Sequence, residues 1–104
     1  MRRFAFKMLL KPGFKDEYRK RHDEIWPELV EIIRSTGVCD YSIFFDEYTN
    51  TLFAVQKQGG EGSSQDLGNN PVVQRWWAYM ADIMETNPDH SPLTIPLEEV
   101  FYME

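Results

Sequence analysis

The chain has 104 residues, enough for one domain with one core, and carries 17 acidic against 11 basic residues for a formal charge of −6. That balance argues against nucleic acid or an anionic membrane as the main partner, because both are bound through clusters of Lys and Arg. Cys39 is the single cysteine, which leaves no internal disulfide and no cysteine-based zinc site.

The start, Met1-Arg2-Arg3-Phe4-Ala5-Phe6-Lys7, imitates the basic end of a secretion signal. Lys7 and Lys11 interrupt the apolar run before it reaches the needed length. No stretch approaches the ~20 apolar residues of a membrane span, so a cytoplasmic location is the default expectation.

Phe4, Phe6, Met8 and Leu10 alternate and predict a first strand, ended by Lys11-Pro12-Gly13. A helical stripe follows: Phe14, Tyr18, His22, Ile25, Trp26, Leu29, Ile32 and Ile33, with Gly37 closing it. Pro27 removes an amide donor inside this pattern and is expected to bend the helix beside His22, or to start a second helical piece. Tyr41, Ile43 and Phe45 share a face of the next strand, Leu52 to Gln56 form another, and Asp46 to Asn50 join them as a hairpin.

Gly59-Gly60-Glu61-Gly62-Ser63-Ser64 reads as a mobile loop. Asn70 caps a second helix with Pro71 at its first position and a buried stripe of Val73, Trp76, Trp77, Met80 and Met84. Asn87 to Pro92 is a turn-rich exit, and Ile95 to Met103 predicts the last strand. The order β-α-β-β-α-β over a single domain, residues 1–104, is ferredoxin-like: an α+β fold with a four-stranded antiparallel sheet and both helices on one face. A domain this small buries only about two-thirds of its unfolded surface. Phe4, Phe6 and the aromatic last strand therefore predict a homodimer through the helix-free face.

Three features stand out as sites for chemistry. Tyr18 and His22 lie one turn apart on a stripe that should face the core, next to the Trp26-Pro27 irregularity. On spacing alone such a histidine is more often a satisfied core residue than a catalytic one. Trp76 and Trp77 point about 100° apart on a helix, so one fills the core and the other lies half exposed, or both line a pocket where indole faces pack on sugar C–H groups. Tyr41 shares the inward face of its strand and is either an ordinary strand tyrosine or a hydroxyl reaching the same guest.

His90, in its turn, and Asp23, Glu24, Glu28 and Glu31, on the polar side of the first helix, read as solvated. Two distant histidines and scattered acids make no metal-ligand spacing, and no phosphate-binding glycine motif is present, so no cofactor is expected.

Glu17-Tyr18, Arg21-His22, Ile25-Trp26-Pro27-Glu28-Leu29, Tyr41, Gln74-Arg75-Trp76-Trp77, Tyr79-Met80, Asn87-Pro88-Asp89 and Glu99-Val100-Phe101-Tyr102 together resemble the L-rhamnose mutarotases. These are small dimeric enzymes of the α/β-barrel type that interconvert the anomers of L-rhamnose. The resemblance spans nearly the whole chain. It implies L-rhamnose or a related sugar as substrate, no metal, His22 as proton donor, and Tyr18, Tyr41, Trp76 and Trp77 as sugar contacts. The Gly59 to Ser64 loop is richer in Gly and Ser than the family usually shows.

Mutarotation protonates the ring oxygen and deprotonates the anomeric hydroxyl, then reverses both, which suits a group titrating near neutrality. The rival expectations are a cofactor-free oxygenase on the same dimeric barrel, a non-catalytic sugar-binding regulator, and haem binding through His22.

Overall fold

The computed structural model describes residues 2–60 and 62–104. In chain order it has β1 (Arg2–Leu9), α1 (Lys15–Asp23), α2 (Pro27–Ser35), β2 (Val38–Asp46), β3 (Thr51–Gln58), α3 (Pro71–Met80) and β4 (Thr94–Leu97). The strands form one antiparallel sheet in the order β2-β3-β1-β4, the ferredoxin-like arrangement. Alternation decides the layers. Phe6, Met8 and Leu10 from β1, and Leu52 and Ala54 from β3, meet Tyr18, Leu29, Val73, Trp76, Trp77 and Met80 from the helices. Each large apolar side chain buried there stabilises the fold by about 1.5–3 kcal/mol.

The first helical pattern is two helices, and the expected bend is a complete break. A residue before proline is pushed to extended backbone, and Trp26 has φ −63° and ψ 127°. Pro27 then opens α2 at its first position, where a missing amide costs nothing. Phe14 precedes α1 and is exposed, so it does not belong to the buried stripe. Gly37, at φ +91°, closes α2, and a Cβ there would meet the Gly60 amide nitrogen at 2.6 Å.

Asp40, at φ 46°, sits in a β-bulge of β2: Cys39 pairs with Lys57, but Ser42 already pairs with Val55. The extra residue switches the parity of the strand. Val38 before it and Tyr41, Ile43 and Phe45 after it all face the helices.

The loop expected over residues 59–64 includes Glu61, which lies outside the described residues, and its last two residues pack into the protein. Ser63 and Ser64 are buried. Ser63 Oγ accepts from Gln65 N (3.1 Å) and Asp66 Oδ2 accepts from Ser63 N (2.7 Å), capping a 3₁₀ turn over Ser64–Asp66. Asn70 Oδ1 accepts from Val72 N (2.9 Å), the expected cap of α3. That helix ends at Met80, and Met84 bridges to Leu10 instead of continuing it.

The helix-free face differs in composition from the expectation. Phe6 is buried and Phe4 half-buried on the helix side, so neither lies on the open face. The open face carries the cross-strand rows Phe44–Phe53–Lys7–Ile95 and Ser42–Val55–Ala5–Leu97. β4 stops at Leu97, well short of Met103. It is an edge strand that tolerates Pro96, and it pairs with β1 only from Ala5 to Met8. Beyond it, side chains replace the ladder: Arg3 Nε donates to Glu99 Oε2 (3.1 Å), and its guanidinium lies 3.4 Å over the Tyr102 ring.

Candidate active site

A cavity of about 770 Å³ lies between the sheet and the helices, within the range of small-molecule sites. Tyr18, His22, Tyr41, Trp76 and Trp77 all line it. Each arrives for a local reason. The α1 periodicity stacks the Tyr18 and His22 rings at 4.2 Å. The bulge at Asp40 turns Tyr41 inward. The α3 stripe delivers both tryptophans, each 7% exposed, so neither is the half-exposed partner that one alternative required.

His22 Nδ1 lies 3.0 Å from the Tyr18 carbonyl oxygen. A carbonyl only accepts, so Nδ1 carries the proton, and the neutral ring keeps its lone pair on Nε2. Burial holds the imidazole below its ordinary value of 6.5, partly opposed by that hydrogen bond and by Asp23. The Trp76 ring stands edge-on to it at 5.4 Å. Burial also pushes both phenols upward, and in Tyr18 the nearby Tyr41 adds to the effect. The site therefore combines a neutral base with two tyrosines that remain protonated and able to donate.

The structure adds residues outside the five site candidates. Trp26 meets Trp76 edge-on (5.1 Å) and stacks on Tyr79 (6.0 Å), extending the aromatic wall. Arg21 ties α1 to the end of α3. It donates to Glu17 Oε2 (2.7 Å), the Tyr79 carbonyl (2.7 Å) and both oxygens of Asp82 (2.8 and 3.2 Å), and lies over the Tyr79 ring at 4.3 Å. Ser64 and Gln65 close the end of the cavity beside Tyr41. Their only signal in the sequence is a pair of serines ending a glycine run.

His90 is exposed in its turn, and Asp23, Glu24, Glu28 and Glu31 are exposed, as the sequence suggested. Among the described residues, no three His, Cys, Asp or Glu side chains are grouped to hold a metal.

The sequence model of the L-rhamnose mutarotase family matches residues 3–103. The chain belongs to that family. It is 65% identical to the L-rhamnose mutarotase of Phocaeicola vulgatus and 64% identical to that of Bacteroides thetaiotaomicron, each over the full length of both chains. The crystal structure of L-rhamnose mutarotase from Formosa agariphila superposes with a TM-score of 0.93 at 58% identity, covering all of both chains. The chain is thus an isomerase of this family on a ferredoxin-like fold. No helix among the described residues is long and apolar enough to cross a membrane.

Proposed function

We propose that this protein interconverts the α and β anomers of L-rhamnose, with His22 as the general acid/base. The observation that carries the assignment is a partly buried histidine on the cavity wall. It is neutral at physiological pH and has Nδ1 committed to the Tyr18 carbonyl, so that Nε2 alone is available to a guest.

In this mechanism Nε2 takes the proton of the anomeric hydroxyl as the bond between C1 and the ring oxygen breaks. The imidazolium so formed gives a proton to the ring oxygen, leaving the open aldehyde. The C1–C2 bond turns, the ring hydroxyl attacks the other face of the carbonyl, and the proton returns by the same route. Atoms and charge balance with no further reactant. Trp76 and Trp77 supply apolar walls for the C–H faces of the sugar, and Tyr18 and Tyr41 orient its hydroxyls. Positioned proton transfer supplies about 10²–10⁴-fold, which suffices for a reaction that already proceeds slowly in water.

We further propose a homodimer through the open sheet face, in the cytoplasm. Phe44 is 64% exposed there, Val55 36% and Ile95 41%, and apolar side chains spread so widely over one face favour a protein partner over water. Phe44→Asp should yield monomers in sedimentation; a wild-type chain that sediments as a monomer at micromolar concentration would remove the dimer.

The test of function is NMR saturation transfer between sugar anomers with catalytic amounts of enzyme. L-Rhamnose should exchange far faster than without protein, and sugars of other configuration less so. Binding of L-rhamnose without faster exchange would indicate a regulator, and preference for a flat polycyclic substrate an oxygenase.

A further inference from the structure

Gln56 is a polar side chain where the fold calls for an apolar one. It lies on the helix side of β3, opposite Phe4 and two residues beyond the core residue Ala54, and it is fully buried. It does not itself line the cavity. Burying a primary amide is costly unless its groups are bonded, so its partners explain its presence.

Those partners lie on the 3₁₀ turn that closes one end of the cavity. The Ser64 backbone amide donates to Gln56 Oε1 at 3.0 Å, which settles which end of the side chain is oxygen. Gln56 Nε2 then donates to Ser64 Oγ at 2.9 Å, so the two residues exchange a reciprocal pair of bonds. Gln65 Nε2 donates to the same serine oxygen at 3.2 Å, and Tyr41 Oη lies 3.4 Å from it. The backbone bond of the turn is internal, from Asp66 N to Ser63 O, and among the described residues no backbone bond joins residues 63–66 to the sheet. The hydrogen bonds that pin the turn to β3 are those of Gln56.

The pinned turn gives the cavity a polar end. Tyr41, Ser64 and Gln65 meet there, whereas Met8, Leu10, Leu52 and Met84 line it further along the strands. Gln56 and Leu52 are four residues apart on β3, roughly 13 Å at the usual rise of a strand. A 6-deoxy sugar is divided in the same way, with hydroxyls at C2, C3 and C4 and a methyl group on C5.

We propose that Gln56, acting through Ser64, is a positioning residue: it holds the polar end of the cavity in place for the ring hydroxyls of the sugar, and so sets the preference of the site for a fully hydroxylated ring.

The inference rests on L-rhamnose as the substrate proposed above, and the experiment reads binding and turnover separately. Affinities for L-rhamnose and for its 2-, 3- and 4-deoxy derivatives are measured by tryptophan fluorescence, since Trp76 and Trp77 line the cavity. Turnover of L-rhamnose is measured by saturation transfer. Wild type should favour L-rhamnose over at least one deoxy derivative by about 3–10-fold, the worth of one hydrogen bond. Gln56→Met keeps the length of the side chain but loses both bonds. It should bind L-rhamnose about 3–10-fold more weakly, keep kcat within about twofold, and lose the preference over the deoxy sugar. Ser64→Ala, which keeps the backbone bond, should show the same change to a smaller extent. A loss of folding stability alone lowers the fraction of active protein but leaves the ratio of two affinities unchanged. Circular dichroism and urea unfolding establish which variants are folded, and Ser64→Ala decides if Gln56→Met is not. A wild type without preference, or folded variants that keep it, would overturn the role of Gln56. A wild type that binds L-rhamnose without faster exchange would overturn the mutarotase reading instead, while the ratio of affinities still tests Gln56.

Discussion

Arg21 offers a quantitative check on how the helical layer holds the site. Its side chain is 10% exposed, and the guanidinium makes four polar contacts and one ring contact, joining α1 to the turn after α3. Glu17 and Asp82 are themselves 40% and 66% exposed, so solvent screens both pairs, and about 0.5–1 kcal/mol each is expected. The Tyr79 carbonyl left without its donor costs about 1 kcal/mol. The cation over the Tyr79 ring adds about 0.5–1 kcal/mol. Arg21→Ala should therefore destabilise by about 2–4 kcal/mol, lowering the midpoint of thermal unfolding by roughly 10–25 °C for a domain of this size.

Arg21→Lys should fall between wild type and alanine, since it keeps the charge but loses the planar fork. Asp82→Ala should cost about 1 kcal/mol or less. The assay is urea unfolding followed by circular dichroism, with thermal melts in parallel. If Arg21→Ala stays within about 0.5 kcal/mol of wild type, or Asp82→Ala costs as much as Arg21→Ala, the node is not what joins the two helices.

His22 should also make stability depend on pH. Its folded value lies below the ordinary 6.5, so the unfolded chain takes up a proton first as pH falls. Stability is then full above about 6.5 and declines as pH drops from there toward the folded value, and a His22→Asn variant should lack that part of the decline in urea titrations. Trp77→Phe should weaken sugar binding more than it slows the bound sugar, read as a rise in KM with kcat nearly kept; unchanged affinity would remove the stacking wall. Activity should survive EDTA, and loss on chelation restored by a divalent metal would contradict the proton-transfer mechanism.

The order of elements and the Val73, Trp76, Trp77 and Met80 stripe of α3 were legible because periods of 2 and 3.6 residues are written directly in the apolar pattern, whereas the last strand ends at Leu97 and Met84 lies beyond the helix. Three things were not. Alternation says that Phe4 and Phe6 share a face, but not which face the helices cover, and the two were expected on the open face whereas they pack on the helix side. Asp40 carries no mark of a bulge, although that one residue turns Tyr41 into the cavity. Arg21 and Gln56 look like solvated or neutral positions one at a time; their roles depend on contacts with residues 61 and 8 positions away. Tyr18, His22, Tyr41, Trp76 and Trp77 line one cavity, but the apolar pattern alone left each with an ordinary packing reading, and the family resemblance is what singled them out.

The measurement that bears most directly on the mechanism is anomer exchange of L-rhamnose by saturation transfer, comparing wild type with His22→Asn across pH. Asparagine keeps a polar side chain but has no titratable group. Folding should survive, because Tyr18, Leu29, Val73, Trp76 and Met80 carry the surrounding core. Wild-type exchange should rise with pH through an inflection below 6.5, as the imidazole loses its second proton, and then level off while the tyrosines stay protonated. The variant should lose about 10²–10⁴-fold, or roughly 3–5 kcal/mol of barrier lowering, together with the inflection. A folded His22→Asn protein that exchanges anomers at nearly the wild-type rate, with the same pH profile, would contradict the assignment of His22.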